Sequence, residues 1–169
     1  MDILQQAPLT ACFSVPVLAA GTTTTLSSTN AFNYTISGFS YTKAALSNTA
    51  TPTTDATTGA AFLPVTKGNG CVFVLGLDAS GNLKVSQGQI QALDAAGYFV
   101  TDPQLPSIAT GVCPVGLIGV INATTTASWT FGTNNLSSVS GTSFAFADIA
   151  TLPSRPPTFF STTITNLGT

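Results

Sequence analysis

Few residues in this chain could do proton chemistry at neutral pH. The acidic side chains are six aspartates, and there is no glutamate and no histidine. Histidine and carboxylates supply most general acids and bases in enzymes. Three of the aspartates, Asp55, Asp78 and Asp94, lie in turn-like sequence, and no two aspartates are close neighbours. Neither a Gly-x-Ser-x-Gly elbow nor a phosphate-binding glycine loop is present. We therefore predict that the protein is not an enzyme and needs no cofactor.

The segment Asp78-Ala79-Ser80-Gly81-Asn82 places oxygen-bearing side chains at alternate positions, like part of a calcium loop. Calcium requires six to eight oxygen ligands, and no further carboxylate lies nearby to complete the shell. Turn chemistry explains every position, because Asp can bond its own backbone and glycine can adopt positive φ. We predict a hairpin turn and no metal site.

The three cysteines, Cys12, Cys71 and Cys113, are widely spaced and form no CxxC pair. A zinc site is therefore not expected. We predict buried, reduced thiols that act as small apolar residues. One disulfide with one remaining thiol is the alternative.

Aromatic side chains could form a flat face that binds sugars by stacking, as in a carbohydrate-binding module. The alternative is that they are core and interface residues, which we favour because they lie in strand-like patterns. The aromatic residues considered are Tyr34, Tyr41, Tyr98 and Trp129.

Nucleic acid and membrane are not expected as partners. The basic residues are Lys43, Lys67, Lys84 and Arg155, which form no cluster able to neutralise phosphates. No apolar stretch approaches the roughly 20 residues of a membrane-spanning helix. Residues 11–20 are apolar, but a basic n-region is missing and a proline interrupts the run, so we expect a folded or docked arm rather than an export signal.

The amino-acid composition predicts the fold class that positions these side chains. Only 6% of residues are charged, whereas 29 are threonine and 16 are serine. β-branched residues fit a pleated surface better than a helix, and the residues that usually cover exposed helices are scarce. We predict an all-β fold, an antiparallel sandwich or barrel of short strands. A net charge of −2 resists association only weakly, which suits a protein packed against other subunits.

Three regions follow from the pattern along the chain. Residues 1–30 are predicted to form an N-terminal arm, residues 31–157 a β domain, and residues 158–169 a C-terminal docking tail. Deleting residues 1–20 is expected to leave a folded domain. The candidate inter-subunit anchors are Val15, Val17, Leu18, Phe159 and Phe160.

The clearest local structure is a hairpin over Gly70–Gly88, whose first strand is a continuous apolar run fit for burial on both faces. Residues 93–99 repeat the Leu-Asp-Ala turn of residues 77–83, so two hairpins in tandem are predicted. Further strands are predicted at 115–121, at 128–131 as its pair, and at 143–149.

The sequence resembles a family of small structural proteins of tailed bacteriophages. The likeness covers residues 30–157 and is carried by 77-LDASGNLKVSQG-88, 93-LDAAGYFVTDPQLP-106, Val112-Cys113-Pro114, 131-FGTN-134 and 152-LPSRP-156.

The resemblance implies a virion component, a capsid decoration or cement protein on the outside of the head. It would be made in the host cytoplasm, bind the major capsid protein and self-associate, with a homotrimer expected. A tail-fibre or receptor-binding module that recognises host polysaccharide is the alternative. A bacterial adhesin or pilin-like subunit would require an export signal.

Overall fold

The computed structural model describes residues 9–124, 127–137 and 139–151, and all regular structure in these residues is β. The strands, in chain order, are β1 Ala11–Cys12, β2 Leu18–Ala20, β3 Thr25–Ser28, β4 Phe32–Ile36, β5 Phe39–Lys43, β6 Thr49–Ala50, β7 Asn69–Asp78, β8 Leu83–Gln87, β9 Gln91–Ala92, β10 Val112–Asn122 and β11 Thr142–Asp148. They form three antiparallel sheets packed as a sandwich, which confirms the predicted all-β class.

The largest sheet has the order β11-β10-β7-β8, and β9 also pairs with β7. Its two central strands are almost wholly apolar because both of their faces are covered. The register between β7 and β10 shifts between Pro114 and Gly116. Proline has no N–H for the ladder, so an irregularity is the usual way to accept it inside a sheet. The predicted hairpin over Gly70–Gly88 is confirmed by the pairing of β7 with β8.

Two smaller sheets, β1-β4-β5 and β2-β3-β6, lie against the large one. The β4–β5 turn consists of Ser37 and Gly38, both with positive φ, as in the two-residue turns that match strand twist. The main core lies beneath these sheets, and aromatic rings fill its centre, with Phe73 and Phe131 centroids 4.9 Å apart. Phe62 and Trp129 pack against both of these rings, and Phe144 packs against Trp129.

The other face of the large sheet carries a second core cluster. Val72, Val74 and Leu117 project from β7 and β10 into it. Phe99 and the partly buried Leu105 belong to the connection that crosses this face between β9 and β10. This connection, which contains Pro103 and Pro106, therefore forms a layer that covers the sheet.

The N-terminal segment is placed differently from the predicted arm. Residues 9–30 contain β1, β2 and β3, which pair within the chain, and Leu26 is fully buried in the main core. The composition gave little sign of these three short strands, in which Ala11, Cys12, Leu18 and Leu26 are buried. Deleting residues 1–20 would remove β1, β2 and the buried Cys12 and Leu18, so the truncated chain is not expected to keep its fold.

The predicted pairing of residues 128–131 with the strand at 115–121 is also corrected. Both edges of β10 are occupied by β7 and β11, so no edge remains for a third partner. Trp129 instead exchanges backbone hydrogen bonds with Val65, at N–O distances of 3.0 and 2.7 Å.

Candidate functional site: an exposed apolar row

In the described residues, the carboxylates of four aspartates accept hydrogen bonds from backbone N–H groups. Asp55 is buried, and its carboxylate accepts hydrogen bonds from the N–H groups of Thr57, Thr58 and Gln87, at 2.8, 2.8 and 2.6 Å. These contacts join the loop before β7 to the edge strand β8. A carboxylate used in this way fixes structure.

Asp78 and Asp94 each close a turn by accepting two backbone N–H bonds of 2.9 Å, which agrees with the predicted turn chemistry. Burial alone would raise the pKa of Asp78, but hydrogen bonds from Asn82 and Ser80 and the nearby Lys84 charge outweigh it and lower this pKa. Within the described ranges, no group of three His, Cys, Asp or Glu side chains is placed to hold a metal ion.

The three cysteines are free and buried, as predicted. Burial raises the pKa of the Cys71 thiol to about 12, and burial also raises that of Cys113 to about 12. The thiolate is the reactive form of cysteine, so burial disfavours the reactive form of both thiols.

A Ser-x-x-Lys spacing that the sequence reasoning overlooked occurs at Ser40-Tyr41-Thr42-Lys43. Such a spacing places serine and lysine on one side of a helix. Here it lies in strand β5, where residues three apart project to opposite faces. The side chains of Ser40 and Lys43 therefore project to opposite faces of the strand, and Lys43 is not placed to activate the serine as a nucleophile.

The aromatic side chains proposed as an alternative sugar-stacking face do not form one together. Trp129 is buried in the main core, where its Nε1 donates to the Asn135 carbonyl at 2.8 Å. Tyr34 is also buried and donates to the Asp78 carbonyl at 2.9 Å. Tyr41 stacks on Tyr34 with a ring-centroid distance of 5.6 Å, and Tyr98 lies on the second turn. Trp129 and Tyr34 are core residues.

Seven large apolar side chains of the described residues are exposed, and three of them lie at alternate positions of one segment. We call these three, Phe13, Val15 and Val17, the apolar row. Their side chains are 62%, 63% and 45% exposed, an unusual fraction for three apolar residues at alternate positions. Of these, Val15 and Val17 were predicted as anchors, whereas Phe13 was missed. The alternation of apolar residues at 13, 15 and 17 resembles a strand face, but the structure places these residues between β1 and β2, outside any strand.

The backbone under the apolar row is firmly held. Phe13 N donates to the Asn33 carbonyl at 2.7 Å, and Asn30 Nδ2 donates to the Val15 carbonyl at 2.8 Å. Val17 has a φ of 54°, a conformation that costs a β-branched residue of the order of 1–3 kcal/mol. The surrounding hydrogen bonds must offset this cost.

Asp148, at the end of β11, supplies part of that support. Its two carboxylate oxygens accept from the N–H groups of Val17 and Leu18, each at 3.2 Å. Leu18 is only 7% exposed and packs against Gly116 of β10. Its place in the core corrects its prediction as an inter-subunit anchor, because a side chain used inside the chain is not free for a partner. Phe159 and Phe160 lie outside the described residues.

No helix in the part of the chain that the structure describes is long and apolar enough to span a membrane. Comparison with protein-family models, with curated proteins and with solved structures finds no match for this chain.

Proposed function

We propose that this protein is a non-enzymatic structural subunit of a bacteriophage virion, a capsid decoration protein that binds and stabilises the head shell. The observation that carries the proposal is the apolar row on a protein with very little charge. Apolar surface of this kind is unfavourable in water and is stabilised by burial against a partner.

The use of the chemistry-bearing residues supports a structural role. Asp55 and Asp148 bond backbone at points where distant segments meet, and the two turn aspartates shape hairpins. The cysteines lie in the core. A decoration protein requires a rigid fold and a surface that tolerates close neighbours. The aspartates and cysteines contribute to the rigid fold.

The surface supports the same role. Four basic and six acidic side chains give a net charge of −2, so many copies can sit side by side with little mutual repulsion. Residues 9–18 contain no charged side chain, and the nearby Asp148 carboxylate already accepts hydrogen bonds from Val17 N and Leu18 N. A partner covering the apolar row would therefore desolvate an ion that keeps its backbone partners. In the proposed role the protein is made in the host cytoplasm and functions on the capsid exterior, against the major capsid protein and further copies of itself.

The test is binding of the purified full-length chain to heads of the encoding phage that lack it. We expect saturable binding with a fixed number of copies per capsomer. The double variant Phe13→Ser, Val15→Ser should bind at least about tenfold more weakly, because each buried apolar side chain contributes about 1.5–3 kcal/mol.

Val100→Ser is the matched control, since Val100 is 64% exposed and lies on the layer that covers the other face of the large sheet. It should bind like the unaltered protein. Failure of the unaltered protein to bind heads, with binding instead to tails or host polysaccharide, would replace this proposal with the receptor-binding one.

A further inference from the structure

The large sheet has two edge strands, and its β8 edge is covered by the chain itself. Ala56 N donates to the Val85 carbonyl at 2.8 Å, and Gln87 N donates to the Asp55 carboxylate at 2.6 Å. Lys84 adds a positive charge to the same strand. Covering segments and lysines are the usual means by which proteins prevent a sheet edge from pairing with another chain.

The opposite edge, formed by β11, is open in its middle. Ile149 N, directly after the strand, donates to the Val115 carbonyl of β10 at 3.1 Å. Since alternate residues of an edge strand bond its neighbour, the odd-numbered residues of β11 bond β10, and the even-numbered ones direct their N–H and C=O groups outward. Among the described residues, no group bonds the outward N–H or C=O of Phe144 or Phe146.

The open stretch is short and has clear limits. At one end Thr142 N donates to the Val139 carbonyl, and at the other the Ala150 carbonyl accepts from Cys12 N. Residues 142–147 contain no charged residue and no proline, so the usual protections of an edge strand are missing between these limits. The side chains of Phe144 and Phe146 are partly buried against the main core, which holds the strand in place.

A second copy of the chain carries a stretch that fits this edge. Antiparallel pairing of one strand with its own copy is symmetric about a two-fold axis, so a single contact satisfies the open edges of both copies. With Ala145 on the axis, Phe144 of each copy lies opposite Phe146 of the other. Both residues have outward backbone groups, so each opposed pair exchanges both of its N–H···O bonds, and the two aromatic side chains become cross-strand neighbours.

The carboxylate at the end of β11 is compatible with this register. Asp148 lies opposite Thr142 of the other copy, so the two Asp148 side chains are not brought together. Each carboxylate keeps its hydrogen bonds to Val17 N and Leu18 N. The contact therefore places no like charges directly opposite each other.

We propose that β11 of one copy pairs antiparallel with β11 of a second copy, which joins two large sheets across a two-fold axis. The proposal rests on the self-association that forms part of the proposed function. Such a contact links copies in pairs and is separate from the threefold contact of the expected homotrimer.

The decisive experiment is disulfide trapping between two distinguishable full-length chains, Ser143→Cys with one tag and Ala147→Cys with another. In the proposed register these positions of the two copies form a non-hydrogen-bonded pair with Cα atoms about 4.5 Å apart, which a disulfide can span. The three native cysteines are buried, whereas Ser143 is exposed and Ala147 partly exposed. After mixing under mild oxidation, we expect a disulfide that links the two tags.

The matched control mixes two tagged chains that both carry Ser143→Cys. In the proposed register these cysteines are offset by four residues, about 13 Å along the strand, which is too far for a disulfide. We expect at least about tenfold less cross-linked product from the control. Equal yields would show random collision rather than a defined register and would overturn the proposal.

Hydrogen exchange of single amides in the unaltered protein gives an independent test. We expect exchange at Phe144 N and Phe146 N to slow at least about tenfold as protein concentration rises, because pairing protects these two groups. Ala145 N is the internal control, since it bonds β10 in every copy and its exchange should not follow the concentration in this way. Fast exchange at Phe144 and Phe146 at every concentration, or slow exchange even in the monomer, would overturn the proposal.

Head binding separates this inference from the proposed function. If the Ser143→Cys and Ala147→Cys chains gave no more disulfide than the control while the unaltered protein saturated heads, the edge pairing would fail and the decoration role would remain. If the disulfide formed in the proposed register and the unaltered protein did not bind heads, the decoration role would fail and the edge pairing would remain.

Discussion

The two Leu-Asp-Ala turns of this chain use the same local chemistry in different surroundings. In residues 77–83 and in residues 93–99 the aspartate accepts two backbone N–H bonds of 2.9 Å. The glycines Gly81 and Gly97 have φ of 74° and 87°. The turns are therefore close copies of one another at the level of the backbone.

Their consequences differ. The first turn joins the ten-residue β7 to β8, and the Tyr34 hydroxyl also bonds the Asp78 carbonyl. The second closes only the single bridge between Leu93 and Phe99 on the outer layer. A turn motif determines its own bonds, whereas the strands on either side depend on what their side chains can pack against.

The largest expected effect comes from truncating the first leucine of each turn. Leu77 is fully buried in the main core, so Leu77→Ala should lower the free energy of unfolding by about 2–5 kcal/mol. Leu93 is only partly buried against the second cluster, and Leu93→Ala should cost about 1 kcal/mol. Urea unfolding of both variants measures the difference, and equal losses would contradict the distinction between the two turns.

A smaller difference is expected at the turn glycines. Both adopt positive φ, so alanine is strained at either position, by roughly 1 kcal/mol. At Gly81 an added Cβ would also lie 3.1 Å from the Lys43 Cδ, whereas at Gly97 the nearest atom is 3.7 Å away. Gly81→Ala should therefore be the more destabilising in thermal unfolding. Equal destabilisation would show that Lys43 moves aside without cost, and the reverse order would contradict the expected difference.

The smallest expected effect is a pH dependence at the first turn. The hydrogen bonds of Ser80 and Asn82 and the Lys84 charge outweigh burial and lower the pKa of Asp78 in the folded protein below its ordinary value of 3.8. A lowered carboxyl pKa contributes stability above the unfolded pKa, and this contribution is lost as pH falls through the folded pKa.

The stability gap between the unaltered protein and Asp78→Ala should consequently shrink between about pH 5 and pH 2. Chemical unfolding at several pH values measures this gap. A gap that stayed constant would mean that the Asp78 charge contributes nothing to stability.

Local sequence was sufficient to predict the elements that are stabilised by contacts between near neighbours in the chain. The apolar run at Cys71–Leu77 followed by an Asp-Ala-Ser-Gly-Asn turn predicts the β7–β8 hairpin, because both the burial and the turn bonds involve neighbours in the chain. The buried thiols followed equally from residue type and isolated spacing. Among the candidate anchors, Leu18 is buried whereas Val15 and Val17 are exposed, because Leu18 lies in β2 and packs against β10.

By itself, the sequence determined the strand-rich class, the turn positions, the low charge and the scarcity of acid–base groups, because composition and near neighbours set these properties. Only the tertiary structure decided that residues 9–30 join the sheets, that Trp129 pairs with Val65, and that the apolar row stays exposed while Leu18 is buried. Each of these depends on which edges and faces are already occupied by residues far away in the chain. Asp148 illustrates the reason, since its partners Val17 and Leu18 lie more than a hundred residues away and leave no local mark in the sequence around it.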